Sequence, residues 1–215
     1  MMNFRRLANS PLLLDGFEEF VRHWLANPEP APVPEPDDYL KAWLTVMPIE
    51  VTTYWQIANR WPDASLKGSQ DQFVGFAKTW QEIDPAKPRL ALVIEGESSW
   101  IVYYDVVKKK LVVQADLEDP LVELPCTVGQ FLVTFGLFNI VIAYQGSDMI
   151  WDGPVPLGLS GDAIPIWDGC YPNPGMGLTF QYISESNMLF WDVSNSSKDQ
   201  KSGNFVTKFL RRFRE

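Results

Sequence analysis

Residues 128–144, Val-Gly-Gln-Phe-Leu-Val-Thr-Phe-Gly-Leu-Phe-Asn-Ile-Val-Ile-Ala-Tyr, carry no charge, and Gln130, Thr134 and Asn139 alone interrupt their apolar run. A segment this apolar leaves water in whatever structure it adopts. Its 17 residues reach only the lower end of the roughly 17–25 that a bilayer demands, and the polar interruptions sit where hydrocarbon would penalise them. The run therefore reads as a buried helix, capped by Thr127 and covering one face of a sheet. No membrane partner is expected.

The sheet is predicted upstream. Residues 89–95, 99–105 and 110–115 are short β-branched or aromatic runs parted by turn signals, which is the signature of an antiparallel meander. Gly96-Glu-Ser-Ser reads as its first hairpin turn, and Lys108, Lys109 and Lys110 as an exposed second one. Before residue 89 the periodicity is helical. Leu13, Phe17, Phe20, Val21 and Trp24 share one face of a helix over residues 12–25. Asp37 or Asp38 can cap a short helix running to Met47, and Pro48 starts another through Trp61. Between the first two helices, residues 27–36 hold five prolines. That density forbids a helix and favours an extended polyproline II strap.

Beyond Gln145 the composition turns to glycine, proline and aspartate, so residues 146–177 read as mostly loop, with Trp151 and Trp167 embedded in it. Residues 178–184 and 188–194 alternate with period two and form a strand pair joined at Glu185-Ser-Asn187. Residues 205–214 read as a terminal helix whose Lys208, Arg211, Arg212 and Arg214 suit the negative end of the helix dipole. The predicted class is α+β: a mainly antiparallel central sheet with N-terminal helices and a buried helix packed on it. Residues 1–36 are read as an N-terminal helix and proline-rich strap, and residues 37–215 as a single domain.

At 215 residues, 46% of them hydrophobic, the chain can hide about 70% of its unfolded surface, so no metal or disulfide staple is required. Two cysteines, Cys126 and Cys170, and one histidine, His23, are too few for a zinc cluster, and no CxxC is present. Both thiols are expected reduced and buried. The first residues do not resemble an export signal, which makes a cytoplasmic location the expectation.

Charge and missing motifs exclude several functions. The net charge is −9, and from Lys110 to Lys198 no lysine or arginine intervenes while ten carboxylates do: Asp116, Glu118, Asp119, Glu123, Asp148, Asp152, Asp162, Asp168, Glu185 and Asp192. Such a surface repels phosphate, so nucleic acid is not an expected partner. With no base among them, these acids are expected to lack local ion-pair partners. There is no phosphate-cradling GxxxxGK[ST] loop, and Gly175-Met-Gly177 lacks the third glycine of a dinucleotide fingerprint. His23 lies in an N-terminal helix ahead of the strap, a poor place for a catalytic base, and neither cysteine has cationic neighbours to activate it. Glu95 and Glu97 share a strand face by period and Glu118-Asp119 lie in the next loop, so a two-carboxylate hydrolase site can be imagined among these four acids. Trp151 beside Asp152, and Trp167 beside Asp168, can either anchor a partner or pin their own loops to the body.

The order of segments resembles the SUKH superfamily, the Smi/Knr-like domains. The resemblance runs over about residues 45–145. It rests on Met47-Pro-Ile-Glu-Val-Thr-Thr-Tyr-Trp, Ser69-Gln-Asp-Gln-Phe73, the hairpin Glu95-Gly-Glu-Ser-Ser-Trp100, Asp119-Pro-Leu-Val122 and the helix carrying Phe131, Leu132 and Phe135. Residues 164–194 look like a C-terminal extension that some such proteins carry, while the N-terminal helix and strap lie outside the pattern. The resemblance implies an α+β fold and a non-enzymatic role as an immunity protein that binds and neutralises a bacterial toxin, with a regulatory scaffold as the alternative. The expected partner is a protein, a basic toxin domain, and no cofactor or metal is expected. The candidate partner-binding residues are Glu95, Glu97, Trp100, Glu118, Asp119, Asp148, Trp151, Asp152, Trp167 and Asp168.

Overall fold

The apolar run forms helix α4, Val128–Tyr144, and 13 of its 17 residues are buried, on every side of the helix. This computed structural model describes residues 13–68, 72–76, 88–94, 100–114, 119–153, 164–170, 176–183 and 186–195. Thr127 closes a capping box: its hydroxyl accepts the Gln130 N–H at 3.2 Å while the Gln130 side chain accepts the Thr127 N–H at 2.9 Å. Two free amides of the helix start are thereby satisfied. The polar interruptions are satisfied within the helix, since the Thr134 hydroxyl donates to the Gln130 carbonyl and the Asn139 amide to the Phe135 carbonyl. Among the described residues no helix is long and apolar enough to cross a membrane.

Among the described residues three α-helices precede it: α1 Leu13–Trp24, α2 Asp38–Val46 and α3 Ile49–Arg60. Helix α1 buries Leu14, Phe17, Phe20, Val21 and Trp24, with Leu14 taking the place expected of Leu13. Asp37 is the cap of α2, its carboxylate accepting the Leu40 N–H at 2.8 Å, and Pro48 prevents α2 from running on into α3. Buried Tyr54 sits at the junction. Its ring lies 6.2 Å from Phe17, 5.1 Å from Phe73 and 6.2 Å from Phe135, and its hydroxyl donates to the Leu66 carbonyl at 2.7 Å. Burial pushes this phenol well above its ordinary pKa, so it remains a neutral donor.

The meander is present as β1 Arg89–Ile94, β2 Ile101–Asp105 and β3 Lys110–Gln114, extended by the two-residue β4 Val122–Glu123 into an antiparallel sheet of order β1-β2-β3-β4. At the β2–β3 turn the Asp105 carboxylate accepts the Lys108 and Val107 N–H groups at 2.8 and 3.1 Å. Those bonds, the Lys108 one foremost, hold its pKa below the usual carboxylate value. Lys108, Lys109 and Lys110 are exposed there as expected. The Gly96 turn lies outside the described residues, although β1 and β2 pair antiparallel as it requires.

The expectation of loop across residues 146–177 is corrected. Strands β5 Ile150–Asp152 and β6 Ile164–Cys170 lie within it, and they join β7 Met176–Ile183 and β8 Met188–Asn195 in a second sheet of order β5-β8-β7-β6. Strand β5 runs parallel to β8, and the other pairs are antiparallel. The alternation of β6 is hidden in sequence by Pro165 and Gly169. A proline is tolerated there because β6 is an edge strand whose register shifts between Pro165 and Trp167, the two circumstances in which a sheet accepts a residue without an N–H. Three residues of β5 are too few to show a period.

Helix α4 lies between the layers. Its nearest backbone neighbours are β6, α3 and α1; Phe138 reaches Trp191 of β8, and Phe135 reaches Phe73, which bridges to Val93 of β1. One hydrophobic cluster therefore joins both sheets and helices α1 to α4 among the described residues. The expected terminal helix at residues 205–214 lies outside the described residues.

Candidate interaction surfaces

Of the ten candidate residues, Glu95, Glu97 and Glu118 lie outside the described residues. Trp100 is corrected as a partner contact: it is 5% exposed and belongs to the core, in alternation with the buried Val102 and Tyr104 of β2. Asp119 is exposed, and its backbone carbonyl accepts the Gln114 side-chain amide at 3.1 Å.

The two loop tryptophans are strand residues. Trp151 lies opposite Phe190 in the β5–β8 register, and Trp167 lies opposite Phe180 in the β6–β7 register with Asp168 opposite Thr179; the side chains of Trp151, Trp167 and Asp168 lie outside the described residues. Strands β5 and β6 are the opposite edges of one sheet. With about 4.8 Å between neighbouring strands, three steps separate the two backbones by about 14 Å. The two tryptophans therefore stand on opposite edges of the sheet and not in one loop.

What the fold does bring together is a set of carboxylates near the β5 edge. Asp148, in the turn after α4, and Asp152, on β5, are exposed. Asp152 lies opposite Trp191, which puts exposed Asp192 one residue further along the adjacent strand and, by strand alternation, on the other face of the sheet. Asp192 was not a sequence-derived candidate, since only the parallel pairing of β5 with β8 brings it here. The expectation that the acids lack ion-pair partners fails at Glu123. Its carboxylate accepts the Lys110 ammonium between the start of β3 and β4, so Lys110 borders the acidic stretch and also neutralises part of it.

A cleft that sequence reasoning missed lies between α1, the strap and the end of α3. It encloses about 640 Å³ and is lined by Asp15, Glu18, Glu19, Arg22, Asn27, Pro28, Glu29, Pro30, Arg60 and Trp61. Glu18 organises it: one carboxylate oxygen accepts the Arg60 guanidinium at 2.6 Å and the Trp61 indole N–H at 2.9 Å. These partners are more than forty positions away in the chain, so no local signal announces them. Four acids against two bases make the lining favour a cationic group over an anion.

A second groove of about 490 Å³ runs beside the start of α4, past Glu50, Tyr104, Lys109, Glu123 and Cys126. The Tyr104 phenol is pushed up by burial first and by the nearby Glu50 and Asp105 carboxylates second. Because the capping box already uses the amides of Thr127 and Gln130, the helix start is closed by its own side chains. His23 lies edge-on to Tyr182, ring centroids 6.0 Å apart, in a packing position. No group of three or more His, Cys, Asp or Glu side chains among the described residues is placed to hold a metal ion.

Comparison with family models finds no match, and comparison with curated proteins and with solved structures finds none either.

Proposed function

We propose that this chain is a non-enzymatic protein-binding module, an immunity protein of the Smi/Knr-like kind that acts in the cytoplasm by binding a basic toxin domain. The observation that carries the reading is the exposed pair Asp148 and Asp152 at the β5 edge of the second sheet, with exposed Asp192 on the neighbouring strand, in a stretch of sequence without a base. Complementary charge of this sort accelerates encounter with a cationic partner more than it raises affinity. The resemblance of residues 45–145 to immunity proteins supplies the identity of the partner class.

The test uses a toxin domain encoded beside the gene for this chain. Asp148→Lys, Asp152→Lys and Asp192→Lys together should slow association roughly tenfold at low salt and leave dissociation nearly unchanged. Binding indifferent both to salt and to these reversals would remove the acidic edge from the account. Turnover of an ester, glycoside or phosphodiester by the purified chain, lost in Asp119→Ala, would replace the binding reading with the carboxylate hydrolase.

A further inference from the structure

The strap has no part in the toxin-binding reading, yet its conformation is the most tightly specified in the chain. Every residue from Asn27 to Pro36 is a proline or precedes one. Proline holds its own φ near −65°, and the residue before a proline is pushed to extended or polyproline II geometry. Once α1 is left at Asn27, the two rules together leave the segment little but polyproline II, and its peptide bonds are all trans. The two ends are fixed. Asn27 donates to the Arg22 carbonyl at the end of α1, and Asp37 caps α2. In the middle, Ala31 donates to the Arg60 carbonyl at 2.9 Å.

Held in this way, the strap is displayed and not buried. Glu29, Pro30, Pro32, Val33, Pro34 and Glu35 are all exposed, Val33 by 36%. With three residues per turn, Pro30, Val33 and Pro36 fall on one edge of the strap and Glu29, Pro32 and Glu35 on the next. The outcome is an apolar ridge alongside an acidic one, whose two carboxylates are set about 19 Å apart by a rise of about 3.1 Å per residue. Within the chain no lysine or arginine falls between Arg22 and Lys41, and Asp37 and Asp38 add to the charge, while Arg22 and Arg60 line the cleft that Glu29 borders.

We propose that residues 28–36 are a preformed ligand for a partner protein whose aromatic-lined groove takes Pro30 and Val33 and whose basic rim meets Glu29 and Glu35. Proline-rich segments dock into aromatic grooves in this manner because the conformation costs little entropy to hold. Here the folded chain supplies part of that ordering in advance. The proposal stands apart from the toxin-binding reading, and either can fail without the other.

The test is a titration of the full ¹⁵N-labelled chain with two purified modules, a WW domain with lysine and arginine around its groove and an SH3 domain with an acidic rim. The WW domain should shift the amide resonances of Glu29, Ala31, Val33 and Glu35 with a Kd below about 1 mM, and the SH3 domain should bind at least tenfold more weakly. Glu29→Lys with Glu35→Lys should weaken WW binding at least tenfold at low salt, and Val33→Asp should abolish it. The thermal midpoint should not move, since these side chains are exposed. Binding by neither module below about 1 mM, preference for the acidic rim, shifts confined to other parts of the chain, or indifference to the variants would each overturn it.

Discussion

Several residues in the left-handed region show how one backbone strain is resolved differently by different surroundings. Helix α1 ends in a Schellman motif: Asn27 donates to the Arg22 carbonyl and Ala26 to that of His23. The motif wants glycine at the position Ala26 fills with φ 61°. Ala26→Gly should therefore raise stability by about 0.5–1 kcal/mol, read from the urea midpoint. Asn187, with φ 51° in the β7–β8 turn, differs because its side chain is engaged. Its carbonyl oxygen accepts the Tyr182 hydroxyl at 2.6 Å and its amide donates to the Trp24 carbonyl at 3.1 Å. Asn187→Gly relieves the same strain but loses both bonds, so it should lower stability by about 1–2 kcal/mol. Equal effects from the two substitutions would mean that the tie between the turn and α1 contributes nothing.

Among the elements, α4 carries the closest packing, and its two glycines are not equivalent. A Cβ on Gly136 would stand 2.4 Å from the Phe17 ring edge and 3.2 Å from the Tyr54 hydroxyl. Phe17 is fully buried and stacked on Tyr54, so the ring has nowhere to retreat. Gly136→Ala should cost about 1–3 kcal/mol from overpacking, outweighing the helix propensity gained. On Gly129 a Cβ would meet Leu13 at 3.4 Å and Glu50 at 3.6 Å, which is ordinary contact. There alanine should stabilise by up to about 1 kcal/mol. Thermal unfolding of the two variants should move in opposite directions, and movement in the same direction would show that α1 does not press on α4 as described.

At the level of the whole molecule, one cluster runs from Leu90 and Val102 of the first sheet through Phe135 and Leu137 to Phe180 and Leu189 of the second. The two sheets share this one cluster, α4 packing on β6 directly and reaching the first sheet through Phe73. Unfolding in urea should accordingly give coincident transitions by tryptophan fluorescence and far-ultraviolet circular dichroism. The central amides of α4 should exchange only through global unfolding. Two separable transitions would mean that the second sheet folds by itself.

How much of this was legible in sequence depends on how far apart the interacting residues lie. Helices α1 to α4, the meander, the Thr127 cap and the β7–β8 pair are written in spacings of two to four residues, where local sterics and hydrogen bonding act, and they were legible for that reason. The strap is the extreme case, since proline acts on its own φ and on its predecessor alone. The second sheet's outer strands were not legible: β5 is too short to show a period, and Pro165 in β6 is acceptable only because of an edge position that other strands create. The candidate site divided in the same way. Exposed Asp148 and Asp152 were found from composition, but Trp100 proved to be core, and Trp151 and Trp167 fell on opposite edges, since sheet order is set by burial around α4 and not by neighbours in the chain. The Glu18–Arg60–Trp61 cluster joins residues more than forty positions apart, and only the packing of α1 on α3 brings them together.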